Sequence, residues 1–153
     1  MGERLYFPLF FDLSEKRALV VGGGRIAARR VNTLLPFVGR ITVVAPEAAP
    51  ELRALAAEGR LTLLERPFDD ADLEGAQLVL CATGDEALDE RVWRLCRERG
   101  ILVNIASDKD KCDFYVPGVA RSGSLVAGVT AGGTDHTKAR ETTEKIRKLL
   151  ETE

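Results

Sequence analysis

The sequence predicts an α/β fold in which a five-stranded parallel sheet, in the order 3-2-1-4-5, is flanked by helices and followed by a small α/β segment. Two observations support this prediction. Short apolar runs alternate with helix-favouring stretches from residue 17 to residue 106, which is typical of parallel strands covered by helices on both faces. The first of these runs ends in three consecutive glycines, residues 22–24, directly before a predicted helix.

The first strand and helix set the pattern that the later elements repeat. Residues 17–21 form an apolar run that suits a buried strand. Residues 25–35 place alanine, valine and leucine at helical spacing, and Pro36 ends that helix. The later strands are predicted at residues 40–46, 61–68, 77–83 and 101–106, the later helices at 47–60 and 85–100, and a short helical connection at 69–76.

Residues after 106 depart from this alternation. Two short strands are predicted within 114–129, and a helix from Asp135 to the end. Because these strands have no place in the parallel sheet and exposed strand edges invite pairing with another chain, we expect a homodimer. We therefore divide the chain into a nucleotide-binding domain, residues 1–114, and a dimerisation segment, residues 115–153. The apolar N-terminal run YFPLFFDL is predicted to be a strand or an arm lying against the domain.

Composition and charge restrict the classes of partner. The formal net charge is −2, which gives no reason to expect nucleic acid or an anionic membrane as a partner. The chain has three cysteines, an odd number without metal-ligand spacing, so we expect a reducing cytoplasmic location and no metal site. No apolar run approaches the roughly 20 residues that span a bilayer, and the N-terminus lacks the features of a signal peptide.

The glycine stretch is the first candidate binding site. Gly22 to Ala27 fits the pattern G-x-G-x-x-A of Rossmann-type dinucleotide-binding folds. In that pattern Gly22 makes the tight turn, Gly24 lets a pyrophosphate approach the backbone, and Ala27 lets the helix pack closely on the sheet. The helix N-terminus at Arg25 and Ile26 would present free N–H groups to the phosphates. The alternative is that the glycines only form a structural turn and bind no phosphate.

Three further residues belong to the predicted cofactor site. The acidic residue expected at the end of the second strand is absent from position 45, and the nearest carboxylate is Glu47, directly after Pro46. Glu47 either reaches a ribose or lies in the first turn of its helix. No basic residue replaces the acid, so NAD is preferred to NADP. Thr83 follows the fourth strand, at the edge where ligands bind in open α/β sheets.

The chain resembles the precorrin-2 dehydrogenase family, which is also known as the N-terminal module of sirohaem synthase. The resemblance covers almost the whole chain, and its most specific part is the string N-I-A-S-D-x-x-x-C-D-F-Y-x-P at residues 104–117. The other stretches that carry it are YFPLFFDLSEKRALVVGGGRIAARRV, ITVVAPE, CATGDEALDERV and GVTAGGT.

The resemblance implies a reaction and a general base. Family members oxidise precorrin-2 to sirohydrochlorin with NAD⁺, and some also insert ferrous ion, so a ferrous or cobaltous ion is a further expected substrate. The family associates proton removal with an aspartate three residues after Asn104, where this chain has Ser107. A serine without a base beside it is a poor proton acceptor. Asp108 and His136 are therefore expected as alternatives, Asp108 if the loop turns it inward.

The resemblance also implies substrate contacts, because a tetrapyrrole with many carboxylates should meet basic and hydrogen-bonding groups. It places the tetrapyrrole site partly in the segment 115–153. The expected substrate-binding residues are Asn104, Arg121, Thr130, Gly132 and Gly133. Two other functions stay open, because the usual aspartate is missing: a dinucleotide sensor without catalysis, and a tetrapyrrole-binding module that does not oxidise.

Overall fold

The computed structural model describes residues 4–152 and confirms the predicted sheet. All five strands are parallel, in the order β3-β2-β1-β4-β5. The strands are β1 (Arg17–Val21), β2 (Arg40–Val44), β3 (Thr62–Leu64), β4 (Leu78–Cys81) and β5 (Leu102–Ile105), and the helices between them are α1 (Arg25–Leu34), α2 (Pro50–Ala57) and α3 (Glu86–Arg99). None of the helices within residues 4–152 is long and apolar enough to cross a membrane.

The core lies on both faces of this sheet. Residues 18–21 of β1 and 78–81 of β4 are buried without alternation, as expected for strands covered by helices on both sides. Helix α3 contributes Val92 and Cys96 to the hydrophobic core cluster that includes Val79 and Cys81 of β4. Its N-terminus is capped by Asp85, which accepts hydrogen bonds from two backbone N–H groups, and it ends at Gly100 with φ 67°.

Some predicted elements are shorter in the structure. Helix α2 begins at Pro50 rather than at residue 47, because proline is favoured at the first position of a helix, where its missing N–H has no partner to lose. Strand β3 covers only Thr62–Leu64, since the following residues leave the sheet and lead into the next connection. That connection is a 3₁₀ helix, Asp70–Leu73, closed by a capping box between Asp69 and Asp72.

The chain divides into two compact units. One comprises Phe11–Phe114, and the other joins the segment up to Phe10 with the residues from Tyr115 onward. The predicted division assigned the N-terminal segment to the nucleotide-binding domain, whereas in the structure the ring of Tyr6 packs on that of Tyr115, with their hydroxyls 3.0 Å apart. The described residues before β1 form no strand, so of the two alternatives given for the N-terminal run, a strand or an arm, the strand is wrong.

The smaller unit is an antiparallel hairpin covered by a helix. Strands β6 (Gly118–Ser122) and β7 (Leu125–Val129) pair with each other, and α4 (His136–Glu151) packs against both. A side chain at Gly118 would lie 2.2 Å from the hydroxyl oxygen of buried Thr143. The helix therefore approaches the hairpin backbone closely at this point.

Candidate functional site

A cleft of about 970 Å³ lies within the larger unit, where β1, β2 and β4 end. Carboxyl ends of parallel strands are where ligands bind in open α/β sheets. The structure brings all seven residues of the predicted cofactor site to this cleft: Gly22, Gly24, Arg25, Ile26, Pro46, Glu47 and Thr83.

The first two glycines of the loop are required by the fold. Gly22 has φ 121°, its N–H donates to the carbonyl of Val44, and a side chain there would lie 2.2 Å from the carbonyl oxygen of Ala82. At Gly23 a side chain would lie 2.2 Å from the carbonyl oxygen of Glu47. The sequence pattern predicted the turn at Gly22 but gave no role to Gly23, which lets the loop after β2 pack on the glycine loop.

Gly24 is different, because nothing within residues 4–152 requires a glycine there. Its φ is −87°, a value open to any residue, and a side chain built on it meets no atom within 4 Å. Gly24 is also the N-cap of α1, and no side chain caps that helix end. The open space and the helix N–H groups together suit a bound pyrophosphate. The glycine loop therefore fits a dinucleotide.

Glu47 and Thr83 follow the ends of β2 and β4, and both line the cleft. Glu47 is exposed and precedes α2, whose first-turn acid is Glu51. The alternative that placed Glu47 in the first turn of the helix is therefore wrong. Thr83 is half-buried, and its hydroxyl oxygen accepts a hydrogen bond of 3.0 Å from the N–H of Asp85.

A buried carboxylate, Asp89 of α3, lies behind Thr83. Its side-chain oxygen Oδ1 accepts hydrogen bonds from the Cys81 thiol (3.2 Å) and the Thr83 hydroxyl, and Oδ2 accepts one from the Ser107 hydroxyl (3.1 Å). We call these four residues the Asp89 cluster. Burial, followed by the effect of Asp89, raises the pKa of the Cys81 thiol, so Cys81 acts here as a neutral donor.

Sequence reasoning missed Asp89, although a signal was present. Asp89 falls on the helical face of Val92 and Cys96, at spacings of three and seven residues, and that face is buried. A charged residue on the buried face of an amphipathic helix is uncommon without a partner or a role. The premise that Ser107 has no base beside it is wrong, because Asp89 supplies a carboxylate within hydrogen-bond distance.

Ser107 and Asp108 point to different partners. Ser107 is exposed while its hydroxyl donates to Asp89. Asp108 caps the next short 3₁₀ helix by accepting from the N–H of Asp110, and its carboxylate lies 3.7 Å from the amine of Lys111. That Asp108 acts as the base stays a prediction, and in this structure its carboxylate is engaged within its own loop.

Asn104 is almost completely buried, and both ends of its amide already have partners. Its oxygen accepts a 2.7 Å hydrogen bond from Arg30, and its NH₂ group donates to the carbonyl of Phe114 at 2.8 Å. Burial lowers the pKa of the Arg30 guanidinium. Asn104 therefore fixes the loop after β5 and orients Arg30, and its direct contact with a substrate stays a prediction.

The remaining predicted residues belong to the smaller unit. Arg121 is exposed on β6, and His136 is the exposed first residue of α4, whose N-cap is Asp135. Thr130 accepts a hydrogen bond from the N–H of Gly132, and both Gly132 and Gly133 have positive φ, 66° and 76°. Within residues 4–152 no group of three or more His, Cys, Asp or Glu side chains is arranged to hold a metal ion.

Comparisons with known proteins match these features. A family described as "Putative NAD(P)-binding" matches residues 9–118. The siroheme synthase of Thioalkalivibrio sulfidiphilus is 38% identical over 95% of this chain and 30% of its own length. The probable multifunctional siroheme biosynthesis protein HemA of Ruminiclostridium josui is 38% identical over 94% of this chain and 28% of its own length. The chain thus spans about a third of the length of these relatives.

A solved structure of SirC, a precorrin-2 dehydrogenase, superposes with a TM-score of 0.79 at 26% identity, over 95% of this chain and 74% of that protein. These matches confirm the Rossmann-type fold and the resemblance seen in the sequence. The family match includes the glycine loop, Thr83 and the Asp89 cluster. With the cleft and its open position at Gly24, the matched region shows that the chain belongs to this NAD(P)-binding family.

Proposed function

We propose that this protein is a precorrin-2 dehydrogenase, an oxidoreductase that uses NAD⁺ to convert precorrin-2 to sirohydrochlorin in sirohaem biosynthesis. The observation that carries the proposal is the match to a solved precorrin-2 dehydrogenase over 95% of the chain. Relatives named as siroheme synthases support it, since their similarity to this chain covers nearly all of its length. The dinucleotide cleft supplies the cofactor site that such an oxidation needs.

The residues of the cleft would hold the cofactor in a defined order. Gly22 to Ile26 and the N-terminus of α1 would bind the pyrophosphate, Glu47 the adenosine ribose, and Thr83 the ribose of the nicotinamide. A carboxylate at Glu47 would repel a 2′-phosphate, which favours NAD over NADP. Bound NAD⁺ supplies the hydride acceptor. A proton must then leave the macrocycle as well, and the candidates from the sequence to receive it are Ser107, Asp108 and His136.

The test follows sirohydrochlorin absorbance after the protein is mixed with precorrin-2 and NAD⁺. We expect conversion by the parent, and conversion with NADP⁺ to be slower. Gly24→Val should abolish NAD binding in calorimetry, because the valine side chain would occupy the pyrophosphate position. The midpoint of thermal unfolding should stay nearly unchanged, because that position is open in the protein. If Gly24→Val binds NAD as well as the parent does, the glycine loop serves only as a tight turn between β1 and α1.

One observation favours a second function. Ser107 replaces the aspartate that the family resemblance leads us to expect, so the same cleft could belong to a dinucleotide sensor or a tetrapyrrole-binding module without dehydrogenase activity. NAD binding without conversion of precorrin-2 would support that function and contradict the dehydrogenase. Adding ferrous or cobaltous ion with sirohydrochlorin tests for metal insertion in the same experiment.

We also propose that the protein is a homodimer through its smaller unit. Apolar side chains of that unit are exposed, including Leu5 at 91%, Phe7 at 85%, Phe10 at 75% and Leu125 at 56%. Exposed apolar patches of this kind mark interaction surfaces. Light scattering at micromolar concentration should give twice the chain mass, and Phe7→Ser with Phe10→Ser should shift the mass towards one chain. A monomeric parent would contradict this proposal.

We also propose a cytoplasmic location, which the thiols support. All three cysteines, Cys81, Cys96 and Cys112, are free, and free thiols persist in reducing compartments. This supports a cytoplasmic protein. Fractionation of the native host with an antibody would test it, and recovery of the protein from an oxidising compartment would contradict it.

A further inference from the structure

The Asp89 cluster has an unusual balance of charge. Asp89 is only 5% exposed, and no lysine or arginine among the described residues forms an ion pair with it. A buried carboxylate without a cation is unfavourable unless hydrogen bonds compensate for its lost hydration. Here the compensation comes from three neutral donors: one thiol and two hydroxyls.

The cluster also connects the interior to two exposed surfaces. Thr83 lines the cofactor cleft, and Ser107 is exposed beyond the end of β5. Asp89 lies between them, with one carboxylate oxygen for each hydroxyl. A hydroxyl that donates to a buried carboxylate can pass its proton inward when it accepts one from outside, which is the arrangement of an activated serine.

We propose that Asp89 is the positioning residue that makes Ser107 the proton acceptor of the dehydrogenation; this inference rests on the proposed function. Ser107 Oγ takes the proton that leaves the tetrapyrrole, while the hydroxyl proton of Ser107 moves to Asp89 Oδ2. The atoms balance, because the substrate loses one hydride to NAD⁺ and one proton to Ser107. Serine keeps its hydroxyl, the Asp89 carboxylate becomes a carboxylic acid, and it returns its proton to solvent by the same path.

The geometry favours this pair over Asp108. The carboxylate of Asp108 accepts from a backbone N–H of its own loop and faces Lys111, so its charge is already compensated. Among the described residues, no cation of this kind faces the carboxylate of Asp89. Ser107 and Asp108 are neighbours in sequence, yet only the Ser107 side chain is directed to a buried base.

The first test compares single substitutions. Asp89→Asn keeps the shape but cannot take up the proton, so we expect kcat for precorrin-2 oxidation to fall by roughly 10²–10⁴-fold, the range for loss of a general base. Ser107→Ala should produce a loss of the same order. The affinity for NAD, measured by calorimetry, should stay within about threefold of the parent, because Ser107 and Asp89 act in proton transfer and not in cofactor binding. Glu86→Gln is the matched control, because it removes an exposed carboxylate from the first turn of the same helix.

The decisive variant moves the carboxylate from position 89 to position 107, its hydrogen-bond partner. Ser107→Asp in the Asp89→Asn background puts the acid at the exposed position and an amide behind it, with the net charge unchanged. We expect this double variant to recover most of the lost activity. A purely structural role for Asp89 would not be rescued in this way, and the thermal midpoint of the NAD-free variants separates misfolding from loss of the base.

The outcomes separate the two proposals. If the parent does not convert precorrin-2 with NAD⁺, the proposed function fails and this inference falls with it. If the parent converts precorrin-2 and Asp89→Asn turns over normally, only the inference is overturned. It is also overturned if Asp89→Asn is inactive while Ser107→Ala is fully active, or if the folded double variant shows no recovery.

Discussion

Two aspartates of the larger unit are buried to nearly the same degree but have opposite surroundings. Asp72, in the connection between β3 and β4, is 8% exposed, and Asp89 in α3 is 5% exposed. Both oxygens of Asp72 accept from the guanidinium of Arg66, at 2.6 and 2.9 Å, and one also accepts from the N–H of Asp69. The donors to Asp89 among residues 4–152 are all neutral.

Burial alone does not distinguish a structural carboxylate from a reactive one, whereas the groups that contact the carboxylate do. The hydrogen bonds from Arg66 lower the pKa of Asp72, so that carboxylate is held in its charged form and acts as a clamp. Within residues 4–152 no cation pairs with Asp89, which lies between two hydroxyls, one of them in the cofactor cleft.

The largest effect on folding is expected at the clamp. Asp72→Asn removes a bidentate pair with Arg66 and should lower the free energy of unfolding by about 2 kcal/mol, a typical loss for hydrogen bonds to charged groups. NAD affinity should not change, because Asp72 does not line the cleft. Urea unfolding at pH 7 measures the loss, with Glu74→Gln, an exposed acid nearby, as control. Equal stability of Asp72→Asn and the parent would remove the distinction between the two aspartates.

The same clamp should be sensitive to acid. Because the pKa of Asp72 is lower in the folded state than in the unfolded chain, its contribution is fully present above the ordinary carboxyl pKa of about 4 and is lost as pH falls through the lowered value. The stability difference between the parent and Asp72→Asn should therefore stay constant from pH 8 to pH 5 and shrink below that. Unfolding at pH 7, 5 and 3 measures it, and a difference that grows towards pH 3 would contradict the clamp.

The glycine loop could be predicted because it is a local feature of the sequence, and the parallel sheet because strands and helices alternate along the chain. Gly22 to Ala27 follows a buried strand directly, and alternation of strands and helices specifies the sheet. The Asp89 cluster could not be predicted in this way, since it joins three segments that meet only when α3 packs against β4 and β5. The N-terminal segment was misassigned for a similar reason: the partner of Tyr6 is Tyr115, 109 residues away.

A smaller effect is expected when one donor of the Asp89 cluster is removed. Thr83→Val deletes the hydroxyl that faces Oδ1 of Asp89 and keeps the shape of the side chain. Because Thr83 is the residue proposed to bind the ribose of the nicotinamide, we expect NAD affinity to fall about tenfold. This is the equivalent of one hydrogen bond of about 1.4 kcal/mol. Calorimetry measures this, and Thr42→Val, a buried threonine of β2 away from the cleft, is the matched control. An unchanged affinity would show that Thr83 serves only Asp89.

The smallest effect is expected at Asp108, although it lies next to Ser107. Its carboxylate accepts from the N–H of Asp110, a bond that asparagine can also accept, and it faces Lys111 at 3.7 Å. A single ion pair at a half-exposed position contributes little, up to about 1 kcal/mol for exposed pairs, and Lys111 keeps a second partner in Glu90. Asp108→Asn should therefore change kcat less than threefold, in contrast to the loss of orders of magnitude that general-base removal produces.

Steady-state oxidation of precorrin-2 by the two variants, Asp108→Asn and Asp89→Asn, under identical conditions decides between the two carboxylates as the proton acceptor. If Asp108→Asn shows the large loss and Asp89→Asn does not, the carboxylate that receives the proton is the one in the loop, and the buried aspartate of α3 is a second structural clamp.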